Sequence, residues 1–294
     1  MERRSYLLVA LLVGCLLGCQ REQRLSPAHR ATKCTRIVSL APSVTETLFA
    51  LGLGDKVVGV TRYCDYPPDA LRKAKVGGYS DPNYEAIAML KPDLVVALPE
   101  HDAFKRSLEQ LALNTLSVDH RNIRGILDSL STLGKRCGAA LKARAIVADI
   151  ERRRARIREK THGLSRPRVL ISVGRSMHSS SLSDVYCAGR DTFYDELLSL
   201  AGGTNAYQGQ IVRFPSLSVE GILRLNPEVV IDIIPGFKDE AMALRAWSNV
   251  SKTNAAKNNR MHVFGDMYAA RPGPRFILLL EAMAQVIHPE LDWD

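Results

Sequence analysis

A twelve-residue pattern occurs twice in this sequence, with the second copy starting 135 residues after the first. Glu85-Ala86-Ile87-Ala88-Met89-Leu90-Lys91-Pro92-Asp93-Leu94-Val95-Val96 and Glu220-Gly221-Ile222-Leu223-Arg224-Leu225-Asn226-Pro227-Glu228-Val229-Val230-Ile231 share the form E-x-I-x-x-L-x-P-[DE]-x-V-[VI]. In each copy a short apolar helix meets a proline, which cannot continue it, and the chain passes into a β-branched run. Two fainter echoes come before this pattern in the same order. Arg36-Ile37-Val38-Ser39-Leu40 answers Arg168-Val169-Leu170-Ile171-Ser172, and Glu46-Thr47-Leu48 before Leu51-Gly52 answers Glu196-Leu197-Leu198 before Ala201-Gly202. Ordered self-similarity marks a duplicated structural unit, so the chain reads as two halves built on one plan.

The unit is α/β. Ile37–Leu40, Val57–Val60 and Leu94–Leu98 read as short strands. Between them lie helical patterns at Val44–Leu53, with Ser43 as its cap, and at Tyr84–Leu90, capped by Asp81 or Ser80. Such alternation predicts mainly parallel sheets covered by helices. Ala139 to Thr161 is helical in pattern, free of proline and glycine, and would span roughly 34 Å. The expected architecture is two related α/β lobes joined by one long backbone helix. Its parts are a signal segment at 1–18, a tether at 19–34, an N-terminal lobe at 35–138, the helix at 139–163 and a C-terminal lobe at 164–294. A stiff rod between lobes predicts small closure movements.

The first residues read as an export signal and not as part of the fold. Arg3 and Arg4 precede an apolar run from Tyr6 to Leu17 that would make a helix of only about 18 Å, too short to span a bilayer. The run ends in Leu16-Leu17-Gly18-Cys19 and a polar stretch, which resembles a bacterial lipobox. That resemblance implies lipidation of Cys19 and an exported, periplasmic or cell-surface, lipid-anchored protein. Net charge is +9, and loss of Glu2, Arg3 and Arg4 lowers it by one. Export argues against a nucleic-acid partner for this basic chain. Arg152, Arg153, Arg154, Arg156 and Arg158 read as the solvated face of a helix. Cys34, Cys64, Cys137 and Cys187 allow three full pairings, with buried free thiols an equal alternative, and no C-x-x-C spacing occurs.

R-I-V-S-L-A-P-S-V-T-E-T-L-F-A-L-G-L (36–53), R-Y-C-D-Y-P-P (62–68) and N-Y-E-A-I-A-M-L-K-P-D-L-V-V-A (83–97) resemble the N-terminal lobe of the helical-backbone periplasmic binding proteins that serve ABC importers for cobalamin, ferric siderophores and haem. Segments 185–205 and 213–231 resemble the C-terminal lobe of that family. The D-Y-P-P loop is most similar to the cobalamin-binding branch. The resemblance implies a monomeric carrier that delivers a cobalt or iron chelate such as cobalamin to a permease and ATPase complex, with haem or a ferric siderophore as the alternative ligand.

Ligands of open α/β sheets bind beyond the carboxyl ends of the strands. The loops there carry Tyr63, Asp65 and Tyr66, then Tyr79, then Phe214, then Asp266, Tyr268 and Arg271. By motif position, Tyr63, Tyr79, Phe214 and Asp266 fall where the cobalamin binder places ligand contacts, although the family pattern has tryptophan where Tyr79 and Phe214 stand. Aromatic faces suit a large flat chelate, and Arg271 suits an anionic one. Arg275 reads as structural. Glu85 and Glu220, one per half, imply permease docking by the family pattern, while placement in the first helical turn gives a simpler reason for their charge.

The same two glutamates could serve a hydrolase as acid and base. Their placement in separate halves, and the lack of nucleophile-elbow, phosphate-loop or H-E-x-x-H motifs, argue against any enzyme. No catalytic residue, protein-bound metal or cofactor is expected. A free-metal binder would need converging histidines, and His101, His120, His178 and His262 are scattered. For haem, Tyr63, Tyr79, Tyr186 or His178 could supply an axial ligand.

Overall fold

The structure is a computed structural model that describes residues 34–176 and 182–293. The signal segment, nearly all of the tether, Cys19 and His178 lie outside the described residues.

The N-terminal lobe holds five strands: β1 Ile37–Ser39, β2 Val57–Val60, β3 Ala74–Lys75, β4 Leu94–Ala97 and β5 Thr115–Ser117. They form one parallel sheet in the order β3-β2-β1-β4-β5. Its helices are α1 Pro42–Ala50, α2 Tyr84–Met89, α3 Asp102–Gln110 and α4 Ile123–Arg136. Then comes α5, Ala140–Thr161, the 22-residue rod. The C-terminal lobe holds β6 Arg168–Gly174, β7 Val185–Cys187, β8 Thr204–Asn205, β9 Ser216–Leu217, β10 Val229–Ile233 and β11 Met261–Phe264. Their order is β11-β10-β6-β7-β9, with β8 also on β6. Here β7 runs antiparallel to both neighbours and the rest of the sheet is parallel. The helices of this lobe are α6 Phe193–Leu200, α7 Val219–Leu225, α8 Glu240–Arg245, α9 Asn254–Lys257 and α10 Phe276–Ile287.

The repeat is conserved down to single hydrogen bonds. Arg36 donates to the Leu90 carbonyl at 2.7 Å, and Arg168 donates to the Leu225 carbonyl at 2.7 Å. The Arg36 amide meets the Asp93 carboxylate and the Arg168 amide meets that of Glu228. Lys91 and Asn226, each before the repeat's proline, are left-handed, with φ of 45° and 43°. That conformation ends the helix and turns the chain into the strand.

Side chains on a strand alternate between faces, and this sorts the core into layers. Ile37, Leu94 and Val96 on one face of the first sheet pack in the same apolar cluster as Val169, Ile171, Val229 and Ile231 of the second. Between the sheets, that cluster takes in residues of α1, α4, α5, α6 and α10, including Ala143, Ile150 and Ile157 of the rod. The opposite faces pack separately, Val38 and Val95 with Ile87 of α2, and Leu170 and Val230 with Ile222 of α7. One continuous core therefore runs through both lobes.

Several local expectations change. Helix α1 starts at Pro42, a proline already fit for a first helical position. Ser43 is consequently inside the helix and does not cap it. Asn83, not Asp81 or Ser80, caps α2 through its side chain, accepting from the Ala86 amide. Ser218 caps α7. The arginine run on α5 is not wholly solvated, because Arg153 makes a two-pronged ion pair with Glu281 of α10 at 2.7 and 2.5 Å. Of the four cysteines, Cys34 and Cys137 form a disulfide, and Cys64 and Cys187 are buried free thiols.

Candidate functional site

The loops after the parallel strands of both lobes converge on a cavity of about 490 Å³. Tyr63, after β2, and Tyr79, between β3 and α2, form the N-terminal wall. Phe214, before β9, and Phe193 with Tyr194, at the start of α6, form the opposite wall. Tyr63 and Phe214 are 53 % and 45 % exposed, so part of each ring is open at the cavity. Ser43 and Pro42, at the start of α1, lie on the floor with His120. Arg121 and Arg213 stand at the boundary with an adjoining polar hollow that also takes in Asn122, Asp191 and Glu196.

Arg271 lines the cavity, but its charge is already engaged. It forms a two-pronged pair with Asp65, one arm at 2.9 Å, and lies 3.6 Å from Glu46. The guanidinium beside Asp65 holds that carboxyl below its usual range. Arg275 binds the buried Glu46 through two hydrogen bonds, at 2.8 and 2.6 Å, and stacks 3.6 Å above the Tyr66 ring. It is structural, as its place at the start of a helix suggested. Asp65, Tyr66, Asp266 and Tyr268 are thus not on the cavity wall. The first two bind the arginines from the N-terminal side. Tyr268 lies 5.6 Å from the Arg275 guanidinium, and its phenol is raised by burial and by the Asp266 carboxylate. The sequence did not show that Asp65, Tyr66 and Tyr268 would meet these arginines at the seam between lobes.

A matching contact lies across the seam. Glu196 of α6 accepts from the Ile123 amide at the start of α4, at 2.9 Å. Glu46 and Glu196 are equivalent in the repeat. Each reaches from the first helix of its own lobe to the beginning of the last helix of the other. That same echo aligns Ser43 with Phe193, two cavity-lining residues that sequence reasoning missed.

His120 is fully enclosed. Ser129 donates its hydroxyl to the Ile126 carbonyl at 2.7 Å, so it accepts from His120 Nε2 at 2.8 Å. His120 Nδ1 is then the acceptor for the Ser43 hydroxyl at 2.9 Å. Burial pushes the imidazole down to about 4, which fixes it neutral at ordinary pH. A neutral, doubly bonded imidazole shapes the floor and offers no free nitrogen to a metal. Among the described residues, no group of three or more His, Cys, Asp or Glu is placed to hold an ion. Of the residues considered for haem, Tyr186 lies outside the cavity wall, and burial raises the Tyr79 phenol.

Glu85 and Glu220 are exposed in the first turns of α2 and α7, on the outer layers of their lobes. The amide of Glu220 itself and the Ser218 hydroxyl hold its carboxyl below the usual range.

The periplasmic binding protein family matches residues 37–266, and the chain belongs to that family. It is a family of binding proteins, not of enzymes. The chain is 34 % identical to an uncharacterized ABC transporter substrate-binding lipoprotein, YvrC, of Bacillus subtilis, over 99 % of each chain. It is also similar to the vitamin B12-binding protein BtuF of Vibrio cholerae, at 27 % identity and a TM-score of 0.74, covering 87 % of this chain and 97 % of that one. A haem-binding protein of Pseudomonas aeruginosa shares the fold at 23 % identity, with a TM-score of 0.76 over 88 % of this chain and 94 % of that one.

Proposed function

We propose that this protein is the extracytoplasmic binding component of an ABC importer, anchored through a lipidated Cys19. It captures a bulky metal chelate, cobalamin first among the candidates, and hands it to the permease. The observation that carries this reading is the cavity walled by aromatic rings from both lobes, with Tyr63 and Phe214 about half exposed. Apolar faces with a few placed polar groups are the usual anatomy of a small-molecule site. The relatives' binding of vitamin B12 and their role in transport support the ligand class and the partner.

A thermal-shift screen with cobalamin, haemin and ferric siderophores tests the ligand, because a compound that binds only the native state raises its melting temperature. One strong stabiliser is expected, and no shift with any chelate would contradict the reading. Haem is the second reading, favoured by tyrosine and phenylalanine where the cobalamin pattern has tryptophan. Tyr63 is then the axial ligand. A Soret band that is lost in Tyr63→Phe would support haem over cobalamin. For docking, Glu85→Ala with Glu220→Ala is expected to leave chelate affinity unchanged and abolish uptake. Normal uptake by the double variant would remove these glutamates from the dock.

A further inference from the structure

One corner of the fold is charged in a way that ligand capture does not use. The Cys34–Cys137 disulfide ties Cys34 to the junction between the end of α4 and the start of α5. From Asp128 to Asp149 the sequence has no carboxylate between its ends, but it carries Lys135, Arg136, Lys142 and Arg144. Lys135, Lys142 and Arg144 are exposed. Lys56 joins them from the N-terminal lobe, its Nζ 3.5 Å from the Cys137 carbonyl. Two acids lie close by. Asp55 precedes Lys56, and Asp93 is occupied by the amide and hydroxyl of Thr35 and the amide of Arg36. Arg136 donates to the Asn114 side chain. Amid these cations Leu141 is 77 % exposed. Apolar side chains flanked by cations suit the boundary of an anionic bilayer.

We infer that the corner formed by Lys135, Leu141, Lys142 and Arg144 around the Cys34–Cys137 disulfide is a contact surface for anionic phospholipid headgroups. The inference rests on the proposed anchor at Cys19. From Cys19 to Cys34 the tether reaches at most about 50 Å, so the corner stays close to the membrane that holds it. At such effective concentration a weak surface attraction suffices to orient the domain. Arg121 of the cavity lies at the far end of α4, a 14-residue helix about 21 Å long. Contact through the Cys137 end therefore leaves the cavity mouth facing away from the bilayer, open to incoming ligand. Delivery to a permease then requires the domain to turn about its tether.

The test uses the full lipidated chain on vesicles of phosphatidylcholine alone or with about a third phosphatidylglycerol. A donor dye is attached at Ala145→Cys, beside the corner, or at Gln210→Cys, on an exposed loop near the cavity. Cys64 and Cys187 are buried and do not compete for the dye. Energy transfer to a headgroup acceptor is expected to rise about twofold or more at position 145 in the anionic vesicles, and not at position 210. The rise is expected to vanish at about 1 M salt, where screening is nearly complete, and in Lys135→Glu with Lys142→Glu and Arg144→Glu. Flotation with the vesicles but equal transfer from both sites in both lipids would overturn the surface and leave the anchor standing. Failure to float with either vesicle would overturn the anchor, and this inference with it.

Discussion

Glu46 shows how much of the molecule's geometry depends on single charges. It is buried, and it holds Arg275 by two hydrogen bonds with Arg271 close by. Removing one member of such a set strands the others without compensation. Glu46→Gln is expected to lower stability by about 3 kcal/mol or more in urea denaturation. His120 gives a pH signature. Its folded pKa is about 4, against 6.5 when unfolded, so between those values the unfolded chain binds more protons than the native one. The stability this neutral imidazole contributes is complete above pH 6.5 and falls away as pH drops toward 4, by up to about 3 kcal/mol. Thermal melts at pH 7 and pH 4.5 are expected to differ markedly in the wild type and less in His120→Asn. Residues at this scale were the least legible in the sequence. Tyr63 and Phe214 were placed on these loops by motif position, and both line the cavity. Asp65 and Tyr268 looked the same on paper, and only the position of Arg271 and Arg275 turned them to the seam.

At the level of elements, the duplicated unit was legible because one helix–proline–strand pattern must solve the same backbone problem twice. Lys91 and Asn226 take the same left-handed turn although their side chains share nothing. The rod was legible too, since proline and glycine bound it and no breaker interrupts it. What escaped was local competition. Pro42 set the start of α1 ahead of Ser43, and Asn83 outbid two other good caps by position. The antiparallel β7, three residues long, carries too short a pattern to reveal its direction. Helix α5 contributes Ile150 to the shared core. Ile150→Ala is expected to cost about 2–4 kcal/mol, the range for an emptied core site. Because that core belongs to both lobes, fluorescence and circular dichroism should still trace one coincident transition. Separate transitions would mean that the lobes are independent.

The whole molecule is two sheets around a common helical layer, sewn along the seam by Glu46 to Arg275 and by Glu196 to the Ile123 amide. Opening or closing the cleft would disturb packed side chains and buried charges together, so only small closure movements are expected. Preorganisation of this type limits what binding must spend on ordering. The central claim is that aromatic walls from both lobes hold a metal chelate. Its most direct test is equilibrium titration of the chelate that emerges from the stability screen, against the wild type and against Tyr63→Ala with Phe214→Ala. The double variant is expected to keep its fold and bind about 30-fold or more weakly. Equal affinity for the two proteins would place the ligand elsewhere and contradict the account.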